Sequence, residues 1–228
     1  MEQWGSGAVG QGFVYAPCMA SQAPQPSPAF SDMRLSEFLA AVGAKTPAPG
    51  GGAVASAVGA LSAALAQMVV NYSIGKKNLL EQQGELQAAI ETLEKSRAHL
   101  LDLAQADAAA YAVLNELQKL PPEDARRVRE MGPAVERAVE VPWTVLLQSI
   151  ELLKDFERLA PITNKYLRSD LGIAAVLAEA TARSAAWNVR INVGDLPPTR
   201  KSDVLAKCDA LVQEAKRRCE HVEQATKV

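Results

Sequence analysis

The sequence predicts an all-α protein, a single-domain antiparallel helical bundle of about six helices with a buried, Ala/Gly-rich central helix. Hydrophobic residues make up 48% of the 228 residues but aromatic residues only 5%, and Ala and Leu, which favour helices, fill the difference. Apolar residues recur at helical spacing in most segments, whereas no segment alternates as strands do. Clusters of Pro and Gly separate the segments, as expected for helices joined by short loops.

Residues 1–31 have the composition of a disordered or irregular tail, with Gly, Gln, Ser and Pro and a single charge, Glu2. The helical domain is expected to span residues 32–228. Its first helix is predicted over residues 33–44, where apolar residues recur at helical spacing, and the prolines and glycines of residues 46–52 end it.

The second helix, predicted over residues 53–73, is apolar on all sides, and no charge occurs between Lys45 and Lys76. Its length of about twenty residues also suits a transmembrane helix. Ala and Gly dominate it, however, and no aromatic belt flanks it. A central core helix is therefore the preferred interpretation, because small side chains let neighbouring helices approach closely.

Four further helices complete the predicted bundle. Pro121 and Pro122 end the third, Pro142 is expected to kink or interrupt the fourth, and the fifth is again rich in Ala. The expected ranges are residues 77–120, 123–159, 170–193 and 201–226.

The charge and cysteine content narrow the class of protein. There are 24 Lys and Arg against 26 Asp and Glu, so neither nucleic acid nor a membrane surface is an expected partner. Three cysteines without metal-ligand spacing and only two histidines offer little material for a metal site or a Ser-His-Asp triad. Because a disulfide scaffold and a signal peptide are also not apparent, we expect a cytoplasmic protein without a bound metal.

A glycine loop, Pro49-Gly50-Gly51-Gly52, opens the central helix. Glycines let backbone N–H groups approach an anion or a developing negative charge, which the helix dipole also favours. No Gly-Lys-Ser/Thr follows and no strand precedes, so neither nucleotide-binding fingerprint is present. The loop is either a ligand cradle or a tight turn between helices.

Asp107 interrupts the apolar stripe of the third helix, so its carboxyl group is expected to face the core. Burial without a partner would raise its pKa and suit it to proton transfer near neutrality. The alternative is a structural role, either in an ion pair or in a capping contact to the end of another helix.

Other polar residues mark two further regions. Asn188 and Asn192 lie on one stripe of the fifth helix, where they would bind a heterocycle or make interhelical hydrogen bonds. Upstream, Ser169 or Asp170 is expected to cap that helix. Gly75-Lys76-Lys77 follows the central helix, where the cations would either bind an anion or complement the helix dipole.

Taken together, several segments resemble the cyclodeaminase domain of formiminotransferase-cyclodeaminase and its stand-alone relatives, which include bacterial methenyltetrahydrofolate cyclohydrolases. The resemblance covers residues 33–220 approximately, and the order and spacing of the segments make it far more specific than any single motif. The segments are Thr46-Pro47-Ala48-Pro49-Gly50-Gly51-Gly52-Ala53-Val54, Gly75-Lys76-Lys77, Ala106-Asp107-Ala108-Ala109-Ala110-Tyr111, Ala138-Val139-Glu140-Val141-Pro142, Arg168-Ser169-Asp170-Leu171 and Asn188-Val189-Arg190-Ile191-Asn192.

The resemblance implies a helical homodimer or larger homo-oligomer with a folate pocket among its helices, and no cofactor beyond the tetrahydrofolate substrate. It implies formimidoyltetrahydrofolate cyclodeaminase activity, with methenyltetrahydrofolate cyclohydrolase activity as the alternative and a non-catalytic folate-binding or helical interaction protein as a further one. Ala53 stands where Ser is common in the family, and Thr163 where Gly is common. Because 31 irregular residues cannot encode a formiminotransferase domain, that activity is expected on a separate protein.

The resemblance also implies roles for the candidate residues. Asp107 would stabilise the cationic intermediate and move the proton, while the glycine loop, Asn188 and Asn192 would hold the pterin. Lys76, Lys77 or Arg168 would meet the glutamate tail. Asn164 and Asp170 complete the substrate-binding residues that it implies.

Overall fold

A computed structural model describes residues 29–227, and within them six α-helices and no strand occur. The all-α prediction is therefore confirmed. The first 28 residues of the predicted tail lie outside the described part of the chain. The helices are α1 (Leu35–Val42), α2 (Gly51–Asn71), α3 (Gln83–Lys119), α4 (Ala125–Leu159), α5 (Arg168–Asn192) and α6 (Pro198–Thr226).

The centre of the molecule is a four-helix bundle, in which α2 and α4 each pack between α3 and α5, and α6 covers α4 and α5. Small residues on α2 allow this packing. A Cβ at Gly59 would lie 3.0 Å from Thr181 Cγ2 and 3.2 Å from Leu100 Cδ1, so both neighbouring helices approach the α2 backbone closely. The predicted buried Ala/Gly-rich helix is thus α2.

Within residues 29–227, α2 is the one helix whose length and hydropathy would allow it to cross a membrane, with a mean hydropathy of 1.9 over its most apolar window. The other helices bury 56% of that window. This burial is typical of a core helix, which passes the same test of length and composition.

Of the kink or interruption predicted at Pro142, the interruption does not occur, because α4 continues through that residue. A proline has no N–H group, so Pro142 leaves the carbonyl oxygen of Ala138 without its usual helical donor. Asn192 on α5 supplies one, since its Nδ2 donates to Ala138 O at 2.7 Å. A neighbouring helix therefore satisfies the carbonyl that the proline exposes.

Two other segments also depart from the expected bounds. The third helix begins at Gln83 instead of residue 77, because residues Lys77–Gln82 form a 3-10 helix with a non-helical backbone at Leu79. Helix α1 forms as expected but buries none of its residues. The chain before it is held to the bundle where the Phe30 N–H donates to Gln105 Oε1 at 3.3 Å.

Candidate active site at the start of helix α2

The carboxyl group of Asp107 lies directly against the first turn of α2. A Cβ at Gly52 would overlap that carboxyl group, so only glycine fits at this position. Helix α2 begins at Gly51 without a side-chain cap on its N-terminal N–H groups. The Asp107 side chain, supplied by α3, therefore occupies the place of a capping group.

The surroundings of Asp107 favour its protonated form. Burial raises the pKa of its carboxyl group above the ordinary value of 3.8, while the backbone of Ala53 acts in the opposite direction. No Lys or Arg side chain forms a salt bridge with it anywhere in the described part of the chain. The ion-pair alternative is therefore wrong, whereas the contact to a helix end is present.

Asn188 on α5 borders the same site. A Cβ at Gly51 would lie 3.5 Å from Asn188 Oδ1, which is ordinary van der Waals contact. The Asn188 Nδ2 group donates to the carbonyl oxygen of Ser184 at 3.3 Å. Because a carboxamide oxygen is an acceptor, Asn188 offers a ligand one acceptor beside the Asp107 carboxyl group.

The other candidates around the start of α2 make contacts that stabilise the fold. Pro49 is buried and precedes the N-cap residue Gly50, so the glycine loop is both a turn and the floor of the site. Asn192 lies one turn beyond Asn188, with its Nδ2 group already bonded to Ala138 O. Its predicted role in binding the pterin stays a prediction.

A second group of candidate residues lies at the other end of α2. The Asn164 N–H donates to Ser73 Oγ at 2.8 Å, and Asn164 Nδ2 donates to Tyr72 O at 3.5 Å. Lys76 and Lys77 are exposed on the segment that follows. Arg168 begins α5, four residues after Asn164, and its Nε is buried without a hydrogen-bond partner.

The capping prediction for this region is wrong in detail. Neither Ser169 nor Asp170 caps α5, which begins at Arg168 with no side-chain cap. Asn164 instead caps the short 3-10 turn before it, since its Oδ1 accepts from the Tyr166 N–H at 3.2 Å. Asp170 lies within the first turn of α5, where an acidic side chain complements the helix dipole.

The two groups lie about 30 Å apart, because the 21 residues of α2 separate them at a rise of roughly 1.5 Å per residue. Here we call them the near end (residues 49–52, Asp107, Asn188) and the far end (Lys76, Lys77, Asn164, Arg168, Asp170). One chain thus does not bring all the predicted substrate-binding residues to one ligand.

Sequence reasoning missed Ser56, which lies one turn after Gly52 and is fully buried. Its hydroxyl is one of two buried side-chain polar atoms without a hydrogen-bond partner in the described residues, the other being Arg168 Nε. The spacing of four residues from Gly52 places both on one face of α2. The four-residue spacing in the sequence could therefore have indicated that Ser56 lies on the same face as Gly52.

An open groove of about 420 Å³ lies between α3 and α4, next to the near end. Small residues of α3 form its floor, including Ala106 and Ala110 on either side of Asp107, and Glu130 and Arg137 of α4 lie on its rim. Across residues 29–227 no three His, Cys, Asp or Glu side chains are grouped so that they would hold a metal ion. The groups available for chemistry at the near end are thus a carboxyl group, a carboxamide and backbone N–H groups.

The fold and this site define a helical-bundle protein with one carboxyl group suited to proton transfer. Its sequence matches the family model described as formiminotransferase-cyclodeaminase over residues 34–210. The chain therefore belongs to the formiminotransferase-cyclodeaminase family, as the resemblance in its motifs implied.

Three individual proteins illustrate the similarity. The chain is 35% identical to mouse formimidoyltransferase-cyclodeaminase over 196 residues, which are 84% of this chain and 36% of that protein. It is 33% identical to methenyltetrahydrofolate cyclohydrolase of Methylorubrum extorquens over 71% of this chain and 80% of that one. The crystal structure of Thermotoga maritima formiminotetrahydrofolate cyclodeaminase superposes with a TM-score of 0.79 at 30% identity, covering 86% of this chain and 96% of that one.

The chain spans about a third of the length of the vertebrate relatives it matches, which is 35% of the chicken protein and 36% of the mouse protein. It spans most of the length of the bacterial cyclohydrolase and of the Thermotoga cyclodeaminase. The similarity to the longer proteins is thus confined to one portion of them.

Proposed function

We propose that this protein is a folate-dependent one-carbon enzyme that converts 5-formimino-tetrahydrofolate to 5,10-methenyltetrahydrofolate and ammonia. Family membership supports the substrate class. The observation that carries the proposal is the Asp107 carboxyl group, held against the start of α2 with a raised pKa and no cationic partner among the described residues. A raised pKa brings a carboxyl group closer to the pH at which it can both accept and return a proton.

In the proposed reaction, N10 of the substrate attacks the carbon of the protonated amidine and forms a bond to it, while the electron pair of the carbon–nitrogen double bond moves to the amino nitrogen. The Asp107 carboxylate takes the proton that N10 loses and returns it to the amino group of the tetrahedral intermediate. The carbon–nitrogen bond to that group then breaks, ammonia leaves and the methenyl cation forms. The regenerated carboxylate also stabilises this positive charge, since opposite charges attract strongly where water is excluded.

Cyclohydrolase activity is the second candidate, and one observation favours it. The bacterial cyclohydrolase matches this chain over 80% of its own length, so the two proteins are of similar extent. In that reaction water attacks the carbon of the methenyl cation, and Asp107 would take a proton from the water. Both reactions need a carboxylate beside the same cation.

An assay of both reactions with the purified protein separates the candidates. The protein is mixed with 5-formimino-tetrahydrofolate or with 5,10-methenyltetrahydrofolate, and ultraviolet absorbance and ammonia are followed. Ammonia release with formation of the methenyl absorbance supports the cyclodeaminase. Loss of that absorbance without ammonia supports the cyclohydrolase, and turnover of neither substrate, with folate still bound, would mean a non-catalytic folate-binding protein.

We further propose a homodimer that joins the near end of one chain to the far end of its partner. Large apolar side chains are exposed along one face of α5, with Trp187 72% and Ile191 77% accessible, and Leu61 lies exposed on the adjoining α2. Such a face suits a two-fold, self-complementary interface. If the two α2 helices pack antiparallel, each Asp107 faces the cations of the other chain.

This arrangement gives the far end a role in binding. The pterin would lie at Asp107 and Asn188, and the glutamate carboxylates would meet Lys76, Lys77 or Arg168 of the partner. The 30 Å between the two ends of one α2 exceeds the length of a folate with a single glutamate, which is why two chains are needed.

Subunit complementation tests the shared site. At a substrate concentration well below KM, Asp107→Asn chains and Arg168→Ala chains are each expected to lose most activity, but mixed dimers would contain one site with both residues intact. Activity that returns when the two inactive preparations are exchanged supports the proposal. If the two residues serve one site in the same chain, mixing restores nothing, and an unmixed protein that elutes as a monomer also contradicts the dimer.

The remaining parts of the proposal follow from the sequence. We propose a cytoplasmic enzyme that needs no cofactor beyond its folate substrate and works beside a separate formiminotransferase. The buried, reduced thiols of Cys208 and Cys219 support a reducing compartment. Fractionation of the source cells and activity in the presence of a metal chelator test these two statements.

A further inference from the structure

Ser56 stands apart from the other buried hydroxyl residues of the protein. Its side chain is fully buried in α2, yet its Oγ has no hydrogen-bond partner among the described residues. Every other buried Ser or Thr there donates to a backbone carbonyl at 2.7 to 2.9 Å. These residues are Ser62, Ser73, Ser149, Thr163, Thr181 and Thr226. A buried hydroxyl without a partner costs free energy, so its position calls for a reason.

The register of α2 against α3 places Ser56 beside the candidate site. Gly52 lies at Asp107 and Gly59 lies at Leu100, so the two helices run antiparallel and Ser56 falls between these contacts. Residues four apart on a helix have Cβ atoms about 5–6 Å apart. Because the Asp107 carboxyl group occupies the Cβ position of Gly52, the same spacing puts the Cβ of Ser56 roughly 5–6 Å from it, a separation that one water can bridge.

We propose that Ser56 is a positioning residue, whose hydroxyl donates a hydrogen bond to the Asp107 carboxylate through one bridging water and fixes its orientation toward the substrate. This role rests on the proposed function of Asp107 in proton transfer. It also explains why an otherwise small, apolar helix carries a buried hydroxyl without a backbone acceptor at this one turn.

Few charges surround the pair. Residues 46–75 contain no titratable group other than Tyr72, which lies at the opposite end of α2, and α5 presents the neutral Asn188. On α3 the nearest acidic residue is Asp102, which is exposed and five positions away. On α4, Arg137 pairs with Glu140, and Glu130 pairs with Arg126 and Arg129. On α5, Arg183 pairs with Glu179, and Arg190 pairs with Asp209 of α6. The Ser56 hydroxyl is therefore well placed to affect the titration of Asp107.

The test compares Ser56→Ala with Ser62→Ala, since both remove one buried hydroxyl from α2. Ser62 Oγ donates to Ala174 O at 2.7 Å, away from the site, and is the matched control. The Asp107 carboxyl is titrated by carbon-13 NMR in the ligand-free protein, with Asp107→Asn for assignment. Ser56→Ala is expected to raise the Asp107 pKa by about one unit, the size of a lost hydrogen bond to a charged group.

The same two variants are followed in the assay and by thermal unfolding. Ser56→Ala should move the acidic limb of the kcat profile to higher pH, whereas Ser62→Ala should lower Tm and leave the profile unchanged. An unaltered Asp107 titration in Ser56→Ala overturns the proposal, as does a fall in Tm without a change in pKa. Because the titration needs no substrate, it stands even if the protein turns over neither folate.

Discussion

The two ends of α2 differ in how far their charged side chains are exposed to water. At the near end a carboxyl group is partly buried against the N-terminal backbone, and no cation pairs with it among the described residues. At the far end Lys76 and Lys77 are exposed in the segment that follows the helix. Both arrangements complement the helix dipole. The two lysines stay in water, whereas the near end withdraws its carboxyl group from water, which is the condition for tuning a proton-transfer group.

This difference predicts that near-end substitutions alter turnover and far-end substitutions alter substrate binding. The largest effect is expected for Asp107→Asn, since an amide can neither take the proton nor neutralise the cation. We expect kcat to fall by roughly 10²–10⁴-fold, as is typical of losing a general acid or base. KM should change little. Steady-state kinetics at pH 7 check this, and near-normal kcat would refute the catalytic assignment of Asp107.

The adjacent glycines Gly51 and Gly52 of the near end are expected to differ in their effect on turnover. Gly52→Ala places a methyl group where the Asp107 carboxyl group lies, whereas Gly51→Ala meets Asn188 Oδ1 at an ordinary 3.5 Å. A displacement of about 1 Å at a reacting group costs on the order of 100-fold in rate. We therefore expect a loss of that size for Gly52→Ala and a change of only a few-fold for Gly51→Ala. Equal kinetics for the two variants would mean that the glycine loop is only a turn.

The far end should act on binding alone. Arg168→Gln is expected to raise KM by about tenfold, equivalent to roughly 1.4 kcal/mol of lost interaction with a carboxylate. A tetrahydropteroate substrate, which lacks the glutamate, should show no such change and is the matched control. A loss of kcat with both substrates, or a KM increase that does not depend on the glutamate, would contradict the proposed role of Arg168.

The smallest expected effect concerns stability. Because the pKa of Asp107 is higher in the folded protein than the ordinary 3.8, the folded state binds the proton more tightly and loses stability as pH rises through the folded pKa. Asp107→Asn should thus be at least as stable as the parent at pH 7. Its advantage should shrink as pH falls through the folded pKa and be gone below 3.8. Urea unfolding of both proteins at pH 7 and pH 3.5 measures the difference, and a variant less stable at pH 7 would argue for a structural carboxylate.

At the near end, the sequence predicted which residues face the core but not which of them contact each other. Helical periodicity placed Asp107 on the core-facing stripe, and the glycines before α2 indicated a close approach of backbone. It did not predict that Gly52 and Asp107 meet, because register between two helices depends on packing distant in sequence. The interruption at Pro142 was expected from the missing N–H, but it does not occur, since Asn192 on another helix bonds the exposed carbonyl.

At the far end, the sequence indicated candidate residues but not their distance from the near end. Lys76, Lys77 and Arg168 were grouped with the near-end residues through their family resemblance, which carries no information on distance. Their separation follows from the length of α2, which was predicted within about two residues at each end. The unpartnered Ser56 hydroxyl could not be predicted, because whether a buried serine finds a carbonyl depends on local helix geometry.

Since α2 spans the whole distance between the two ends, it sets both their spacing and their angular phase. Inserting one residue near its middle would rotate one end against the other by about 100° and move it by about 1.5 Å. An insertion of a full turn, about four residues, would nearly restore the phase but lengthen the helix by roughly 6 Å. In the proposed homodimer the length of α2 thus sets the distance between the two shared sites, and chains that accept folates with longer glutamate tails are expected to vary beyond its far end, leaving its 21 residues unchanged.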